Sequence, residues 1–198
     1  MIKYSLATNE NINGILALQS KNLVSNLKDD EKNDGFVTTP FTNKQIEDLI
    51  KLDGVFIALD ENRVISYAMC ASWHYWLAWP MFEHMASFLE TLSFKGKQLT
   101  LDNSYQYGPI CVAKEYRGNK IFENLFEYAR EEMSKKYPIL VTFINKINNR
   151  SYEAHVRKLG LEVITQFEFN NNSFYELVYD TSKKVEINKD PRGKPFHA

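Results

Sequence analysis

The chain has 198 residues, of which 44% are hydrophobic and 25% charged, and its formal net charge is -1. This length and composition are typical of one globular domain with a sizeable core. The near balance of 24 basic and 25 acidic residues argues against a nucleic-acid partner, because binding to a phosphate backbone usually requires a basic excess.

The first half of the chain alternates short helical and strand-like patterns. A polar loop over residues 25–35 separates two of the helical patterns, and Asp60-Glu61-Asn62 is typical of a hairpin turn. The predicted elements are a strand at 2–7, a helix capped by Thr8 or Asn9, a second helix after Thr42, and strands at 54–60 and 64–71.

An unusually aromatic segment follows the hairpin, with a helical pattern from residue 72 to 96 that is broken at Pro80. The run from Trp73 to Phe82 contains three tryptophans. One interpretation is a lid or pocket for an apolar or aromatic acceptor. The same pattern is also typical of a core-packing helix or of a homodimer contact.

The second half of the chain alternates strands with longer helices and ends in a hairpin. The predicted elements are a strand at 105–113, a helix at 119–136, a strand at 139–144, a helix from Asn148 or Asn149 to Gly160, and strands at 162–169 and 174–179. This order predicts an α/β fold (α+β mixed sheet). We expect a single domain at 1–181, with a helical aromatic insert at about 73–96 and a charged C-terminal extension at 182–198.

The N-terminus and the cysteines bear on location and metal binding. Residues 1–5 lack the apolar core of a signal peptide, and no window approaches the ~18 consecutive apolar residues of a membrane span. We therefore expect a cytoplasmic protein with no membrane partner. Cys70 and Cys111 could in principle pair, but their apolar flanks favour buried free thiols. Without a Cys-x-x-Cys spacing, and with four histidines, we expect no metal site.

The most informative segment is a strand that ends near Ala113, a tight turn with Arg117 and Gly118, and a helix that begins at once. The first N–H groups of a helix have no intrahelical partner, and the helix dipole adds partial positive charge there. Such a helix start binds phosphate groups. Arg117 and Lys120 add two cations, which suits a doubly charged pyrophosphate.

Two motifs in this half of the chain resemble those of the GCN5-related N-acetyltransferase (GNAT) superfamily. The run Val112-Ala113-Lys114-Glu115-Tyr116-Arg117-Gly118 is similar to the approach to its coenzyme A signature, Arg/Gln-x-x-Gly-x-Gly/Ala. The later run, from Asn148 through Ser151 to Lys158-Leu159-Gly160, is similar to its final helix. The chain departs from the signature at Lys120 and Phe122, where the family has a glycine and a small residue. A non-glycine residue at position 120 is tolerable if its dihedral angles stay helical, and Phe122 would crowd the pyrophosphate unless its ring turns into the core.

The resemblance implies a central sheet splayed between two strands, helices on both faces, and acetyl-CoA as cosubstrate. It also implies that pantetheine pairs with backbone groups of Ile110 and Val112, and that Asn148 and Ser151 touch the coenzyme near its thiol end. The residues predicted to bind coenzyme A are Ile110, Cys111, Val112, Arg117, Gly118, Asn119, Lys120, Ile121, Phe122, Asn148 and Ser151.

Many members of this family carry a proton donor for the leaving thiolate on the final helix. Counting forward from Asn148 places it at His155, but counting back from Gly160 places it at Val156, because this chain has one extra residue. We predict a catalytic role for His155 as this acid, since an imidazole titrates near neutrality. The alternative is a helix histidine that is hydrogen-bonded to a neighbour.

The resemblance thus implies an N-acetyltransferase that moves an acetyl group from acetyl-CoA to a primary amine of a small molecule or peptide. We expect the acceptor site to lie opposite the coenzyme, walled by the 25–45 loop and the aromatic insert. A general base is not evident, because the phenols of Tyr105 and Tyr107 are weak bases at pH 7 and Glu83 and Glu90 are typical of solvated helix charges. The alternative is a non-catalytic acyl-CoA-binding or protein-interaction module with the same fold. The two altered signature positions favour that alternative.

Overall fold

The structure is a computed structural model that describes residues 1–28 and 31–187. In this range a seven-stranded mixed sheet has helices on both faces, as predicted. Its strands, in chain order, are β1 (Ile2–Leu6), β2 (Val55–Asp60), β3 (Arg63–Ser72), β6 (Ser104–Val112), β7 (Ile139–Asn145), β8 (Glu162–Phe169) and β9 (Asn172–Asp180). Two further strands, β4 (Ser93–Phe94) and β5 (Lys97–Gln98), form a separate small hairpin.

The sheet order is β1-β2-β3-β6-β7-β9-β8, and β6 and β7 are its one parallel pair. The helices are α1 (Ile12–Asn22), α2 (Asn43–Lys51), α3 (Trp73–Trp76), α4 (Pro80–Leu89), α5 (Ile121–Ser134) and α6 (Asn149–Glu153). The turns of α6 continue as a π-helical segment, Ala154–Leu159. No helix of residues 1–28 and 31–187 is both long enough and apolar enough to cross a membrane.

One face of the sheet is covered by α1 to α4. Ile12, Ile15 and Leu18 lie three residues apart and are buried together, as the helical spacing predicts. The second helix begins where expected, because Thr42 and Gln45 cap it. The side chain of Thr42 accepts a hydrogen bond from the Gln45 N–H, and the side-chain oxygen of Gln45 accepts one from the Thr42 N–H.

The aromatic insert packs mainly into this same core. Trp73 and Trp76 are fully buried, and their indole N–H groups donate to Ser104 Oγ at 2.9 Å and to the carbonyl oxygen of Ala71 at 3.2 Å. For these two tryptophans the structure therefore favours the core-packing interpretation. The β4–β5 hairpin was not predicted, because two-residue strands carry too little alternation to be recognised.

The other face of the sheet is covered by α5 and α6. The apolar stripe of α5 consists of Leu125, Phe126, Ala129 and Met133, which pack against strand residues that include Tyr107. The helix begins at Ile121 rather than Asn119. The two residues Gly118 and Lys120 have φ angles of 84° and 58°, which a right-handed helix does not contain.

The central strands separate part-way along the sheet. β6 and β7 pair only at Ser104↔Ile139, Tyr105↔Leu140 and Gln106↔Val141, and no pairing between them continues beyond these residues. On its other side β6 stays paired with β3, with a register shift between Ala68↔Ile110 and Cys70↔Tyr107. One extra residue of β6 lies in this bulge, which contains Gly108 and Pro109. The predicted splay is therefore present, between β6 and β7.

The residues that follow β9 pack against α5 as far as the structure describes them. Val185 is buried, and its N–H donates to Glu127 Oε2 at 3.0 Å. Residues 188–198 of the predicted extension lie outside the described residues. The domain boundary at residue 181 stays a prediction.

Candidate active site

The gap between β6 and β7 exposes backbone hydrogen-bonding groups on one edge of β6. The Ala113 N–H donates to the Ile65 carbonyl oxygen at 2.8 Å, and Ser66 Oγ donates to the carbonyl oxygen of Cys111 at 2.7 Å, so these residues direct their backbone groups toward β3. Backbone groups alternate in direction along a strand. Those of Ile110 and Val112 therefore face the gap, where β7 no longer pairs with them.

A groove continues from this gap between the start of α5 and the head of α6, and we call it the α5–α6 groove. It has a volume of about 130 Å³. Most of the residues predicted to bind coenzyme A line it, together with the predicted catalytic residue: Ile110, Cys111, Val112, Arg117, Gly118, Ile121, Phe122, Asn148, Ser151 and His155. Asn119 and Lys120 do not line the groove and lie in the exposed turn before α5.

The backbone of Lys120 does not have helical geometry. Its φ of 58° and ψ of 15° are left-handed, so the condition for a tolerable non-glycine residue, helical dihedral angles, is not met. The position ends the turn before α5 and does not start the helix. A left-handed conformation costs a non-glycine residue roughly 1–2 kcal/mol, whereas glycine adopts it readily.

Arg117 bridges two parts of the fold at the mouth of the groove. Its Nε donates to the carbonyl oxygen of Val112 at 3.1 Å, and its Nη2 donates to Asn22 Oδ1 at 2.8 Å. The guanidinium therefore ties the end of β6 to the end of α1. It also lines the α5–α6 groove and a larger cleft of about 410 Å³ along α1.

Phe122 forms part of the groove wall. Its ring is half-buried against the core under α5, and its centroid lies 5.0 Å from that of His155 in an edge-to-face arrangement. The next residue, Glu123, forms an ion pair of 3.0 Å with Lys158 of the π-helical segment. These two contacts join α5 to the final helix across the groove.

Asn148 holds the head of α6 and a distant loop at the same time. Its Oδ1 accepts a hydrogen bond from the Ser151 N–H at 3.2 Å, which caps the helix. Its Nδ2 donates to the carbonyl oxygen of Phe36 at 3.2 Å. This bond connects α6 to the Phe36 backbone, in the segment before α2. Contact of Asn148 and Ser151 with the coenzyme stays a prediction.

The π-helical segment accounts for the extra residue in the final helix. A π-helix contains one residue more per turn than the α-helix it interrupts, and such segments are frequent at functional sites. With the segment at Ala154–Leu159, His155 lies on the buried side, whereas Val156 is only partly buried. Counting forward from Asn148 therefore gives the residue that lines the groove, which is His155.

The protonation of His155 follows from its surroundings. Its Nδ1 lies 2.7 Å from the carbonyl oxygen of Ser151, which can only accept, so we assign the proton to Nδ1 and leave Nε2 bare. Burial lowers the pKa of His155 to about 4. A neutral imidazole with a bare Nε2 accepts a proton at pH 7 rather than donating one. The arrangement therefore does not favour the acid role, while the catalytic assignment of His155 stays a prediction.

A second cavity lies on the other side of His155, toward α4, and we call it the aromatic cavity. It has a volume of about 80 Å³, and five aromatic residues line it: Phe36, Phe82, Tyr107, Phe143 and Phe174. Ile110, Asn148, Ser151 and His155 line both this cavity and the α5–α6 groove. The backbone of Ile110 is therefore accessible from two directions.

Two segments around the aromatic cavity are those expected to wall an acceptor site: Phe36 belongs to the 25–45 loop and Phe82 to the aromatic insert. The role of the cavity as acceptor site stays a prediction. Sequence reasoning missed the two strand phenylalanines in the wall. Phe143 and Phe174 were visible as strand residues, and their alternation with Leu140 and Leu177 could have placed both on the α4 face.

The other candidate bases are unsuited to proton transfer. Burial raises the pKa of Tyr105 and of Tyr107 well above its usual value, and neither hydroxyl has a hydrogen-bond partner among the described residues. Glu83 and Glu90 are exposed and line neither the groove nor the aromatic cavity. Within residues 1–28 and 31–187, no three His, Cys, Asp or Glu side chains are grouped to hold a metal ion.

Comparison with known proteins finds similar folds among solved structures, at low sequence identity. No protein-family model and no curated protein matches the chain. Solved structures do match, among them an N-acetyltransferase from Staphylococcus aureus Mu50, at 16% identity, a TM-score of 0.60, and coverage of 91% of this chain and 99% of that one. A putative acetyltransferase from Salmonella typhimurium, solved with its cofactor acetyl-CoA, matches at 12% identity and a TM-score of 0.61, covering 91% and 94%.

A GNAT-family acetyltransferase from Streptococcus agalactiae matches in the same way, at 13% identity and a TM-score of 0.61, covering 93% of this chain and 95% of that one. Identities this low compare folds and not activities. The predicted resemblance is confirmed at that level: the chain has the fold of the GNAT-family N-acetyltransferases.

Proposed function

We propose that the chain is an acetyltransferase that moves an acetyl group from acetyl-CoA to a primary amine. One observation carries the proposal: β6 and β7 separate beside a helix start, so that backbone groups of Ile110 and Val112 that β7 does not pair lie next to a phosphate-binding geometry. Of these groups, the Val112 carbonyl oxygen accepts a hydrogen bond from Arg117 Nε. The solved structure from Salmonella typhimurium, whose fold this chain shares, contains acetyl-CoA.

The coenzyme would extend along this edge. The pantetheine arm has amide groups that can pair with the free edge of β6 as a strand would. Its pyrophosphate suits the N–H groups before and within the first turn of α5, beside Arg117. The groove also contains Arg150 and Lys158, whereas the aromatic cavity contains no Lys or Arg. This charge distribution supports a location of the phosphates in the groove and of the acceptor in the cavity.

Transfer requires one bond to form and one to break. The amine nitrogen bonds to the thioester carbonyl carbon, the carbon–sulfur bond breaks, the nitrogen loses a proton and the sulfur gains one. Pro109 has no N–H, so the first N–H beyond the bulge that faces the gap is that of Ile110. This N–H would stabilise the developing oxyanion. The bare Nε2 of His155 would accept a hydrogen bond from the amine and orient its lone pair.

Binding and turnover test the proposal separately. At about a hundred times its dissociation constant, acetyl-CoA should stabilise the native chain by roughly 2.7 kcal/mol, which raises the melting temperature by several degrees. Thiol release from acetyl-CoA in the presence of primary amines then measures transfer. A melting shift together with amine-dependent thiol release supports the proposal. The absence of thiol release with every amine contradicts it.

A non-catalytic acyl-CoA-binding module is the second candidate function. The left-handed Lys120 and the Phe122 ring in the groove wall favour it, because both alter the signature of the family. Such a module would show the melting shift with acetyl-CoA and no amine-dependent thiol release. A protein-interaction module would show neither.

A further inference from the structure

The wall of the aromatic cavity carries no charged side chain among the described residues. Besides its five aromatic residues it contains uncharged polar residues such as Thr39 and Thr142, and no Asp, Glu, Lys or Arg. Its one titratable group near neutrality, His155, is held neutral because burial lowers its pKa to about 4. The cavity therefore differs from the neighbouring α5–α6 groove, which contains Arg117, Glu123, Arg150 and Lys158.

The buried carboxyl group behind this wall is also uncharged at neutral pH. Glu176 of β9 pairs in register with Phe143 of β7, and both of its oxygens lack a hydrogen-bond partner among the described residues. The residue is fully buried, and burial raises its pKa to about 8. With no cation beside it among the described residues, the Glu176 carboxyl is therefore mainly protonated at pH 7.

Three phenylalanines in the wall pack against one another and form an apolar cluster. Phe143 lies edge-to-face with Phe82 and with Phe174, each at a centroid distance of 5.6 Å. Ring faces attract an ammonium ion by about 0.5–2 kcal/mol. The loss of hydration of an unpaired ion costs several kcal/mol. Desolvation therefore outweighs cation–π attraction, and the neutral form of an entering amine is favoured.

From these observations, and given the acetyl transfer proposed above, we propose that the acceptor is a primary amine on a compact apolar group, an arylalkylamine or alkylamine without a carboxylate or second ammonium group. The uncharged wall would select the unprotonated amine, which is the nucleophile, without a dedicated carboxylate base. A carboxylate or second ammonium group on the acceptor would enter with no partner, at a loss of affinity.

Two matched pairs of amines test the selectivity. 2-Phenylethylamine and phenylalanine differ by one carboxylate, and butylamine and 1,4-diaminobutane differ by one ammonium group. At saturating acetyl-CoA, we expect kcat/KM to be at least ~10-fold higher for the first member of each pair. Calorimetry on the coenzyme A-loaded protein should give the same ranking of amine affinities. Preference for phenylalanine or the diamine overturns the inference, as does the failure of all four to bind. If the binding order holds without transfer, the acceptor inference stands and the proposed function fails.

Variants of the wall give a second test. Phe143→Leu should reduce the preference for 2-phenylethylamine over butylamine at least ~5-fold, with unchanged acetyl-CoA affinity. Phe169→Leu is the matched control, because Phe169 contacts His84 and does not line the cavity. Thr39→Asp, which adds a carboxylate to the half-buried loop, should shift the preference toward 1,4-diaminobutane. An unchanged amine preference in both Phe143→Leu and Thr39→Asp overturns the inference.

Discussion

The Nδ1 of His155 lies 2.7 Å from the carbonyl oxygen of Ser151, one helical turn earlier, and this contact determines which imidazole nitrogen carries the proton. The contact lies where the final helix widens from α to π geometry. An ordinary α-helix with one residue fewer would place a different side chain at this point of the groove. The π-helical segment thus couples helix geometry to the chemistry of the site.

His155 should make the fold sensitive to acid. Burial lowers its pKa from 6.5 to about 4, so the unfolded chain binds more protons between these values. The contribution of neutral His155 to the free energy of unfolding is fully present above pH 6.5. It should be lost as the pH falls through 4, and the loss should reach up to roughly 3 kcal/mol. Urea unfolding at pH 7.5 and pH 5 measures this loss. His155→Gln should reduce the loss, and His74→Gln, at an exposed histidine, should not.

Glu176 should have the opposite pH dependence. Burial raises its pKa from 4.5 to about 8, so the folded chain binds more protons between these values. The contribution of the protonated carboxyl to the free energy of unfolding is fully present below pH 4.5. It should be lost as the pH rises through 8. Glu176→Gln, which keeps the shape without the charge, should raise the urea midpoint more at pH 9 than at pH 5. Glu168→Gln, at an exposed residue of β8, is the control. An equal shift at both pH values would show that Glu176 does not titrate in this range.

Lys120→Gly should stabilise the chain by about 1 kcal/mol, because glycine adopts the left-handed conformation without a steric cost. Thermal unfolding measures the change. The neighbouring Asn119 is a suitable control, because its φ is not positive and glycine there should be neutral or destabilising. Destabilisation by Lys120→Gly would contradict the assigned backbone conformation.

Arg117→Ala should weaken acetyl-CoA binding at least ~10-fold, through the lost cation and the loosened end of β6. It should also reduce stability by about 1–3 kcal/mol, because the Val112 carbonyl and Asn22 lose a partner. Calorimetric titration and urea unfolding measure the two effects. Arg63→Ala is the control, since Arg63 pairs with Glu115 and lines only the cleft along α1. Unchanged coenzyme affinity in Arg117→Ala would place the phosphate site elsewhere.

Most helices and strands could be predicted from the sequence, because local residue patterns determine where they form. The capping residue Thr42 and the apolar stripe of α5 are local signals, and both helices form close to their expected positions. The left-handed angle at Lys120 was not predicted, because a lysine there carries no sign of positive φ. The 25–45 loop and the insert were expected around an acceptor site, and Phe36 and Phe82 of these segments line the aromatic cavity. Phe143 and Phe174 were not assigned to it, because the pattern of a single strand does not show which side chains meet at the splay. The splay between β6 and β7 was expected from the family resemblance and not from the residues themselves.

The central claim is that acetyl-CoA pairs with the free edge of β6, and amide hydrogen exchange tests it most directly. With saturating acetyl-CoA, the amides of Ile110 and Val112 should exchange at least ~10-fold more slowly, because the coenzyme supplies the missing partners. The amide of Cys111 faces β3 and should change less, which provides an internal control. Slower exchange confined to the two gap-facing amides is the predicted result. Unchanged exchange at Ile110 and Val112, under conditions where acetyl-CoA raises the melting temperature, would contradict the account.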